Sequence, residues 1–495
     1  MLFNSLKFLL FFPLVLIIYY ILPKRIKYLW LLLSSYYFYM CWNANYALLI
    51  FTSTLITYLS GIFIEKIKHS NVTNQDRLKK FVVAISIISN LGIPFFFKYS
   101  NYSLDIIKGL GELIRIDLNV PKFDILLPVG ISFYTFQALS YTMDVYRDDI
   151  YAEKNFFKYA LFVSFFPQLV AGPIERSKNL LKQLSSPSSF HFDNIREGFI
   201  LMLWGYFLKL VVADRIAIFV DTVYGDYTQY EGLYLIIATI LFAIQIYCDF
   251  SGYSVIAMGA AKMLGIQLTE NFDAPYLSSS VGEFWRKWHI SLTSWFKDYL
   301  YIPLGGSRKG QFRKYLNKLI VFLVSGLWHG AESSFIVWGA INGIYQILEE
   351  STQPFGNKIV SIFNLNKNSF CYKLLRGIIT FFLIDFTWIF FRANNIKESL
   401  EIIKHLFYNN IWILFDGSIF SCGLDAKNFF ILFISLLFLL IADISKHYGI
   451  KIRNILIQQD YWFRCISLII FICFILVFGI WGSGYDSAGF IYFQF

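Results

Sequence analysis

Two of the six histidines in this chain of 495 residues lie where an imidazole could act as a general base. His329 lies in the apolar segment 324–331, between Gly326 and Gly330, which would allow a close backbone approach or an unusual turn. An ionisable side chain is costly in such a segment, and imidazole titrates near neutral pH. The pattern predicts a general base at a buried chain break. The alternative is a histidine that only hydrogen-bonds a neighbouring helix.

The second histidine, His289, lies in segment 283–299, which we predict as one amphipathic helix. Apolar residues fall near one stripe of this helix, at Trp285, Trp288, Leu292, Trp295, Phe296 and Tyr299. Basic residues fall elsewhere, at Arg286, Lys287 and Lys297. This pattern is typical of a helix lying at the cytoplasmic membrane interface. Because a membrane anchor needs no catalytic role, a structural and a catalytic role both stay open for His289.

A glycine-rich basic tract at 301–310 follows directly and contains Arg308 and Lys309. Its backbone and its bases could contact phosphate, although it lacks the spacing of a P-loop. An ordinary basic turn explains the same residues.

Other ionisable residues lie within apolar runs, at Asp144, Lys209, Asp249, Asp385 and Asp443. We expect each to pair within the bundle rather than to act in catalysis, or to line a cavity. Cysteine, histidine and acidic residues do not have the spacing of metal ligands, so we predict no metal site.

The composition defines the class of protein that must position these residues. Hydrophobic residues make up 57% of the chain, charged residues only 15%, and the mean hydropathy is +0.55. Such a chain is neither a soluble globular protein nor a disordered one. The net charge of +10 (43 − 33) fits Lys and Arg in cytoplasmic loops better than nucleic-acid binding.

Ten apolar segments are candidates for transmembrane helices, and none shows the strict alternation of a barrel strand. They are 2–22, 28–42, 46–64, 81–97, 125–146, 199–220, 233–259, 377–392, 428–445 and 465–482. We therefore predict an all-α polytopic membrane helix bundle, formed as a single transmembrane domain over residues 1–495.

Loop charges predict the topology of this bundle. The basic loops 23–27, 65–80 and 262–318 are expected inside, and the acidic loop 221–231 outside. Two further apolar segments, 156–172 and 319–349, then start and end inside, so each must enter and return. Irregular backbone at membrane depth is tolerated where protein buries it or where it lines a cavity. We therefore predict a cavity, a cytoplasmic basic region at 262–318 and an extracytoplasmic tail at 483–495.

Several motifs together resemble one known family. They are LPVGISFYTFQ at 127–137, FPQLVAGPI at 166–174, CDFSGY at 248–253, NFDAPY at 271–276, FWRKWHIS at 284–291 and GLWHG at 326–330. The chain resembles the membrane-bound O-acyltransferase (MBOAT) family in its bacterial polysaccharide (alginate) O-acetylation branch. It departs from that branch at Ser254-Val255, where Ser-Asp is expected, which puts a role for an acid there in doubt.

The resemblance implies roles for individual residues. His329 matches the catalytic histidine, and His289 matches a second motif where related families carry Asn or His. The resemblance also implies a tunnel through the membrane, for which we expect Asp249, Trp328 and Gln168 as lining residues. The C-terminal Phe-x-Tyr-x-x-Phe pattern resembles a motif in which the tyrosine, here Tyr492, looks like an acyl relay. Donor-binding candidates are Arg286, Lys287, Trp288, Arg308 and Lys309.

The function implied is transfer of an acetyl group from a cytosolic thioester, with acetyl-CoA as donor substrate and no permanently bound cofactor. The acceptor is expected to be an extracytoplasmic polysaccharide, reached through a separate serine-hydrolase-like acetyltransferase partner. The protein is expected in the cell (cytoplasmic or inner) membrane, with the lipid bilayer as a further partner. Alternatives are D-alanyl transfer from a carrier-protein thioester to teichoic acid, a secondary transporter or flippase, and a scaffold of an export complex.

Overall fold

A computed structural model describes residues 1–113, 128–170, 172–186, 188–481 and 489–491, and every regular element within these ranges is a helix. The first ten α-helices are α1 (Leu6–Ile21), α2 (Lys27–Met40), α3 (Tyr46–Lys68), α4 (Gln75–Leu113), α5 (Ile131–Tyr146), α6 (Phe156–Ser164), α7 (Phe166–Leu169), α8 (Ser177–Ser185), α9 (Phe192–Tyr206) and α10 (Asp214–Gly225). The next ten are α11 (Leu233–Met263), α12 (Val281–Lys287), α13 (Ile290–Phe296), α14 (Gln311–His329), α15 (Ser333–Ile362), α16 (Phe370–Arg392), α17 (Ile396–His405), α18 (Ala426–His447), α19 (Ile452–Gln458) and α20 (Tyr461–Phe478). Two π-helical segments occur, at Phe207–Ala213 and Lys297–Tyr301.

The described residues form two compact units. The first contains residues 1–202, 254–269 and 489–491, and the second contains 203–253 and 270–481. Both histidine motifs, at 289 and 329, belong to the second unit, whereas Gln168 belongs to the first.

Among the described residues, six helices are long and apolar enough to cross a membrane. They are Tyr46–Lys68, Gln75–Lys108, Leu233–Met263, Phe370–Arg392, Ala426–His447 and Tyr461–Phe478. The protein is thus an all-helical multi-pass membrane protein, but the predicted count of ten is not confirmed. Helix α2, for example, has 14 residues and a length of about 21 Å, less than the roughly 30 Å of a bilayer core. The predicted span at 199–220 is helical throughout, with the first π-helical segment between α9 and α10.

The two segments predicted to be broken are indeed broken. Segment 156–172 contains α6 and α7, separated at Phe165, where the backbone leaves the helical conformation (φ −53°, ψ 109°). Segment 319–349 contains the end of α14 at His329 and the start of α15 at Ser333. Whether these segments enter and leave on one membrane face stays a prediction.

Glycines allow α14 and α15 to pack backbone to backbone. A Cβ atom on Gly326 of α14 would lie 2.3 Å from the carbonyl oxygen of Phe335. One on Gly339 of α15 would lie 2.3 Å from the carbonyl oxygen of Phe322. Any side chain at either position would therefore separate the helices, as at other helix crossings built on small residues. This close crossing determines where the end of α14, and so His329, is placed.

Candidate active site

His329 is the last residue of α14 and is buried, with 5% of its surface exposed. Its Nδ1 atom lies 2.7 Å from the carbonyl oxygen of Ser325, one turn earlier. A carbonyl oxygen only accepts hydrogen bonds, so Nδ1 carries the proton and donates. In the neutral ring the lone pair is then on Nε2, so Nε2 is the nitrogen that can accept a proton.

Aromatic rings enclose the His329 imidazole. The ring centroids of Trp328, Trp338 and Phe391 lie 4.8, 5.0 and 5.4 Å from that of His329. All three meet it at steep angles, between 70° and 89°. These contacts limit rotation of the imidazole and keep its surroundings apolar, where a proton transfer competes less with solvent.

His289 lies at a break that the sequence did not predict. The prediction of one helix over 283–299 is wrong, because α12 ends at Lys287 and α13 begins at Ile290, with His289 between them in the left-handed conformation (φ 44°). The backbone of the preceding segment explains this break. The Ile290 amide donates to the Asn271 carbonyl at 2.9 Å, and the Asp273 amide donates to the Lys287 carbonyl at 3.0 Å. These bonds replace the ladder that a continuous helix would need.

The break turns the His289 ring into the protein, where 2% of the residue is exposed. Its centroid lies 4.6 Å from that of Phe250 and 6.1 Å from that of Trp328, so Trp328 contacts both imidazoles. Burial, and secondarily the neighbouring His329, hold the pKa of His289 well below its ordinary value of 6.5. A neutral His289 suits polarising or positioning a substrate better than accumulating charge.

The aromatic stripe of segment 283–299 faces protein rather than lipid. Trp285, Trp288, Leu292 and Phe296 are all buried. The Trp285 Nε1 group donates to Asn342 Oδ1 at 3.2 Å. The amphipathic pattern is therefore confirmed, but the prediction that its apolar face lies at the membrane interface is wrong.

One cavity, of about 230 Å³, brings the two histidines together. Its lining comes from three parts of the second unit: the α12–α13 region, α14 and α15. The lining residues are Trp285, Trp288, His289, Leu292, Thr293, Phe296, Lys297, Tyr301, Lys318, Val321, Phe322, Ser325, His329 and Gln346. An apolar chain ending in a reactive carbonyl could lie along the tryptophans with its carbonyl beside the imidazoles.

Two lysines of this cavity, Lys297 and Lys318, were missed as donor-binding candidates. A signal for Lys318 was present, because positions 318, 322, 325 and 329 follow the i, i+4, i+7, i+11 spacing of one helix face. The predicted donor-binding bases cluster along the chain, whereas Lys318 shares a helix face with His329.

Of the predicted donor-binding residues, only Trp288 lines the cavity. Arg286 is exposed, and Lys287 forms an ion pair with Glu283 at 2.8 Å. Arg308 and Lys309 are exposed in the turn after the second π-helical segment. A role for these four bases in donor binding would have to be at the surface.

The predicted tunnel residues lie in different surroundings. Asp249 is absent from the cavity lining, and its Oδ1 atom lies 2.7 Å from Lys209 Nζ. Gln168 is buried in the first unit, where its side-chain amide donates to the Phe162 carbonyl at 3.0 Å. Tyr492, the predicted acyl relay, lies outside the described residues.

Four of the five ionisable residues predicted to be structural have a polar partner, whereas the buried Asp385 Oδ1 has no hydrogen-bond partner among the described residues. Lys209 also contacts Asp214 at 2.8 Å. Asp144 accepts a hydrogen bond from Ser177 at 2.6 Å, and Asp443 accepts one from Tyr247 at 2.9 Å. Within the described ranges, no group of three or more His, Cys, Asp or Glu residues could hold a metal ion.

Comparisons with known proteins agree with the motifs. Residues 151–391 match the model of the membrane-bound O-acyltransferase family. A probable alginate O-acetylase of Pseudomonas putida is 32% identical over 508 residues, covering all of both chains. A peptidoglycan O-acetyltransferase of Helicobacter pylori is 32% identical over 76% of this chain and 73% of its own. A teichoic acid D-alanyltransferase of Bacillus subtilis is 25% identical over 45% of this chain and 59% of its own.

Proposed function

Because this chain belongs to the membrane-bound O-acyltransferase family and is an acyltransferase, we propose that it transfers acetyl groups from cytosolic acetyl-CoA for O-acetylation of an extracytoplasmic polysaccharide. The observation that carries the proposal is the cavity lined by both His289 and His329, with lysines in the same lining. The O-acetylase relatives support acetyl as the transferred group.

In the proposed reaction, His329 Nε2 accepts the proton of an acceptor hydroxyl while the hydroxyl oxygen attacks the thioester carbonyl. The carbon–sulfur bond then breaks as the new carbon–oxygen ester bond is completed. The departing thiolate then accepts this proton from His329 Nε2 and leaves as the free thiol, so atoms and charge balance. The step needs a base and a positioned carbonyl. His289, held neutral, positions the thioester.

Three finer features complete the proposal. The cavity is the cytosolic part of a tunnel through the bundle, in a cell membrane. Tyr492 is the acceptor hydroxyl and carries the acetyl group as an ester. A separate serine-hydrolase-like acetyltransferase passes it to the glycan.

Acyl labelling tests the reaction directly. Purified wild-type protein in nanodiscs is incubated with acetyl-CoA labelled in the acetyl group, beside His329→Ala and Tyr492→Phe. Label on the wild type that is absent from both variants supports the relay. Release of CoA without protein label supports the transferase and refutes the relay. Equal turnover by wild type and His329→Ala refutes the assigned base.

A second function with support is D-alanyl transfer, because a D-alanyltransferase relative covers 45% of this chain. It predicts turnover of a D-alanyl carrier-protein thioester and none of acetyl-CoA. Family membership gives no support to the transporter or scaffold alternatives.

A further inference from the structure

A cluster of opposite charges lies beside the cavity lysine on α14. The Lys318 ammonium contacts Glu350 Oε2 at 2.5 Å, and Lys314, one turn earlier, contacts the other oxygen, Oε1, of the same carboxylate. One glutamate of α15 thus bridges two lysines that share a face of α14. The cluster has a net charge of +1 (two lysines and one glutamate).

The contact with Glu350 is open to exchange. The Lys314, Lys318 and Glu350 side chains keep 28%, 20% and 28% of their surfaces exposed. Ion pairs with this much water contact are weak, so an anion with more charge than one carboxylate can displace the glutamate. Phosphate also accepts more hydrogen bonds from ammonium groups than a carboxylate does.

The second carboxylate near Lys318, Glu349, acts on it electrostatically but is itself engaged by other groups. Glu349 accepts from the Gly282 amide at 2.8 Å and from Arg376 at 3.3 Å. Lys297 lies elsewhere in the same cavity lining and adds positive charge. A phosphate beside Lys318 would therefore meet a positive environment once Glu350 moved away.

The spacing along α14 matches a particular ligand. Lys318 and His329 are 11 residues apart on one helix face, a rise of about 16 Å. A 4′-phosphopantetheine arm has about thirteen bonds from phosphorus to sulfur, and at about 1.2 Å per bond in an extended chain it spans about 16 Å. A thioester placed at His329 thus puts its pantetheine phosphate near Lys318.

We propose that Lys314 and Lys318 bind the phosphate next to the pantetheine arm of the acyl donor, and that Glu350 occupies this phosphate site until the donor displaces it. This inference rests on the proposed function for the identity of the donor. Glu350 then selects phosphorylated donors, because a neutral thioester gains nothing by displacing it. The phosphate is common to CoA and to a holo carrier protein.

Equilibrium binding tests the proposal independently of turnover. Dissociation constants are measured in nanodiscs for CoA, 4′-phosphopantetheine, pantetheine and a holo carrier protein. The variants are Glu350→Gln, Lys318→Met and a matched control, Glu197→Gln. Glu197 pairs with Lys262 at 3.4 Å, and its side chain is also 28% exposed, but it does not line the cavity.

We expect Glu350→Gln to tighten binding of CoA and 4′-phosphopantetheine by about fivefold, and Lys318→Met to weaken it by at least as much. Pantetheine binding should stay unchanged in both variants, which also shows that they are folded. Glu197→Gln should match the wild type for every ligand. Preference for CoA or for the holo carrier protein identifies the source of the phosphate.

The proposal is overturned if Glu350→Gln and Lys318→Met change the binding of pantetheine as much as that of 4′-phosphopantetheine. It is equally overturned if the two variants change the binding of neither ligand. It is also overturned if wild-type protein binds all four ligands without preference for phosphate. Turnover of acetyl-CoA is measured separately on the same samples. Turnover without the expected binding changes refutes the phosphate site alone, and phosphate-dependent binding without acetyl transfer refutes the proposed function alone.

Discussion

Replacement of Lys209 should destabilise the second unit far more than replacement of either acid that it contacts. The Lys209 ammonium lies 2.7 Å from Asp249 and 2.8 Å from Asp214, and the three side chains are 1%, 3% and 10% exposed. The triad has a net charge of −1. Asp249→Asn brings it to zero and leaves one ion pair intact. Lys209→Met brings it to −2 and leaves two buried carboxylates without their cation.

The expected magnitudes follow from this count. Removing one partner of a buried ion pair costs about 3–5 kcal/mol, because an uncompensated charge stays buried. Lys209→Met should reach this range. Asp249→Asn should cost about 1.5–3 kcal/mol, the value of one hydrogen bond to a charged group. In the double variant Lys209→Met/Asp249→Asn only Asp214 remains charged, so the double variant should be more stable than Lys209→Met alone.

The free energy of unfolding is measured in detergent micelles with a denaturant, using the wild type, both single variants and the double variant. Phe250, which follows Asp249, packs against His289, so CoA-thioester turnover is recorded on the same samples. Equal losses of stability in the two single variants would refute the charge argument. A double variant that is less stable than Lys209→Met would also refute it. In that case the two losses of stability would add, which means that Lys209 and Asp249 do not interact.

Three further changes have defined outcomes. His289→Asn should lower turnover more than stability, since Asn adopts the left-handed backbone readily but lacks the imidazole, whereas His289→Ala should lower both. Gly339→Ala should destabilise the α14–α15 crossing by about 1–3 kcal/mol, because its Cβ would overlap the Phe322 carbonyl. Burial raises the pKa of Glu175 from 4.5 to about 7. The carboxyl group therefore ionises at a lower pH in the unfolded chain than in the folded one, so the free energy of unfolding should decrease as the pH rises from 4.5 to 7. Glu175→Gln should remove this part of the pH dependence.

Each of these changes has a contrary result that would count against its argument. Full activity of His289→Asn would show that the backbone conformation, and not the ring, is required. Wild-type unfolding of Gly339→Ala would show that the helices separate easily. An unchanged pH profile in Glu175→Gln, beside the control Glu197→Gln, would place the titration elsewhere.

Hydropathy predicted the helices well because each apolar run is a local property of the sequence. The break after 329 was predicted for the same reason, since Gly326 and Gly330 mark it in the chain. For segment 156–172 only an entry and return was predicted, and not the position of its break at 165. The break at His289 was not predicted, because it is formed by hydrogen bonds to residues 271–273 rather than by any helix-breaking residue at 288–289.

The candidate site was predicted in part. Both histidines and Trp288 line one cavity, as residues expected to act together should. The basic donor-binding residues were sought by density along the chain. Lys318, one of the two lysines that line the cavity, instead shares a helical face with His329 across three turns of α14, a relation that the spacing from 318 to 329 already contains.

The hydrogen bond from His329 Nδ1 to Ser325 has a consequence for where the reacting groups must lie. The backbone carbonyl engages one of the two imidazole nitrogens, so the other nitrogen has to handle the proton alone. In the proposed reaction, a proton that arrives at Nε2 also leaves from Nε2. The hydroxyl that gives the proton and the sulfur that receives it must therefore both come within reach of this one atom. Once the hydroxyl oxygen has added to the carbonyl, oxygen and sulfur are bonded to the same carbon, so a single ring orientation can serve both transfers.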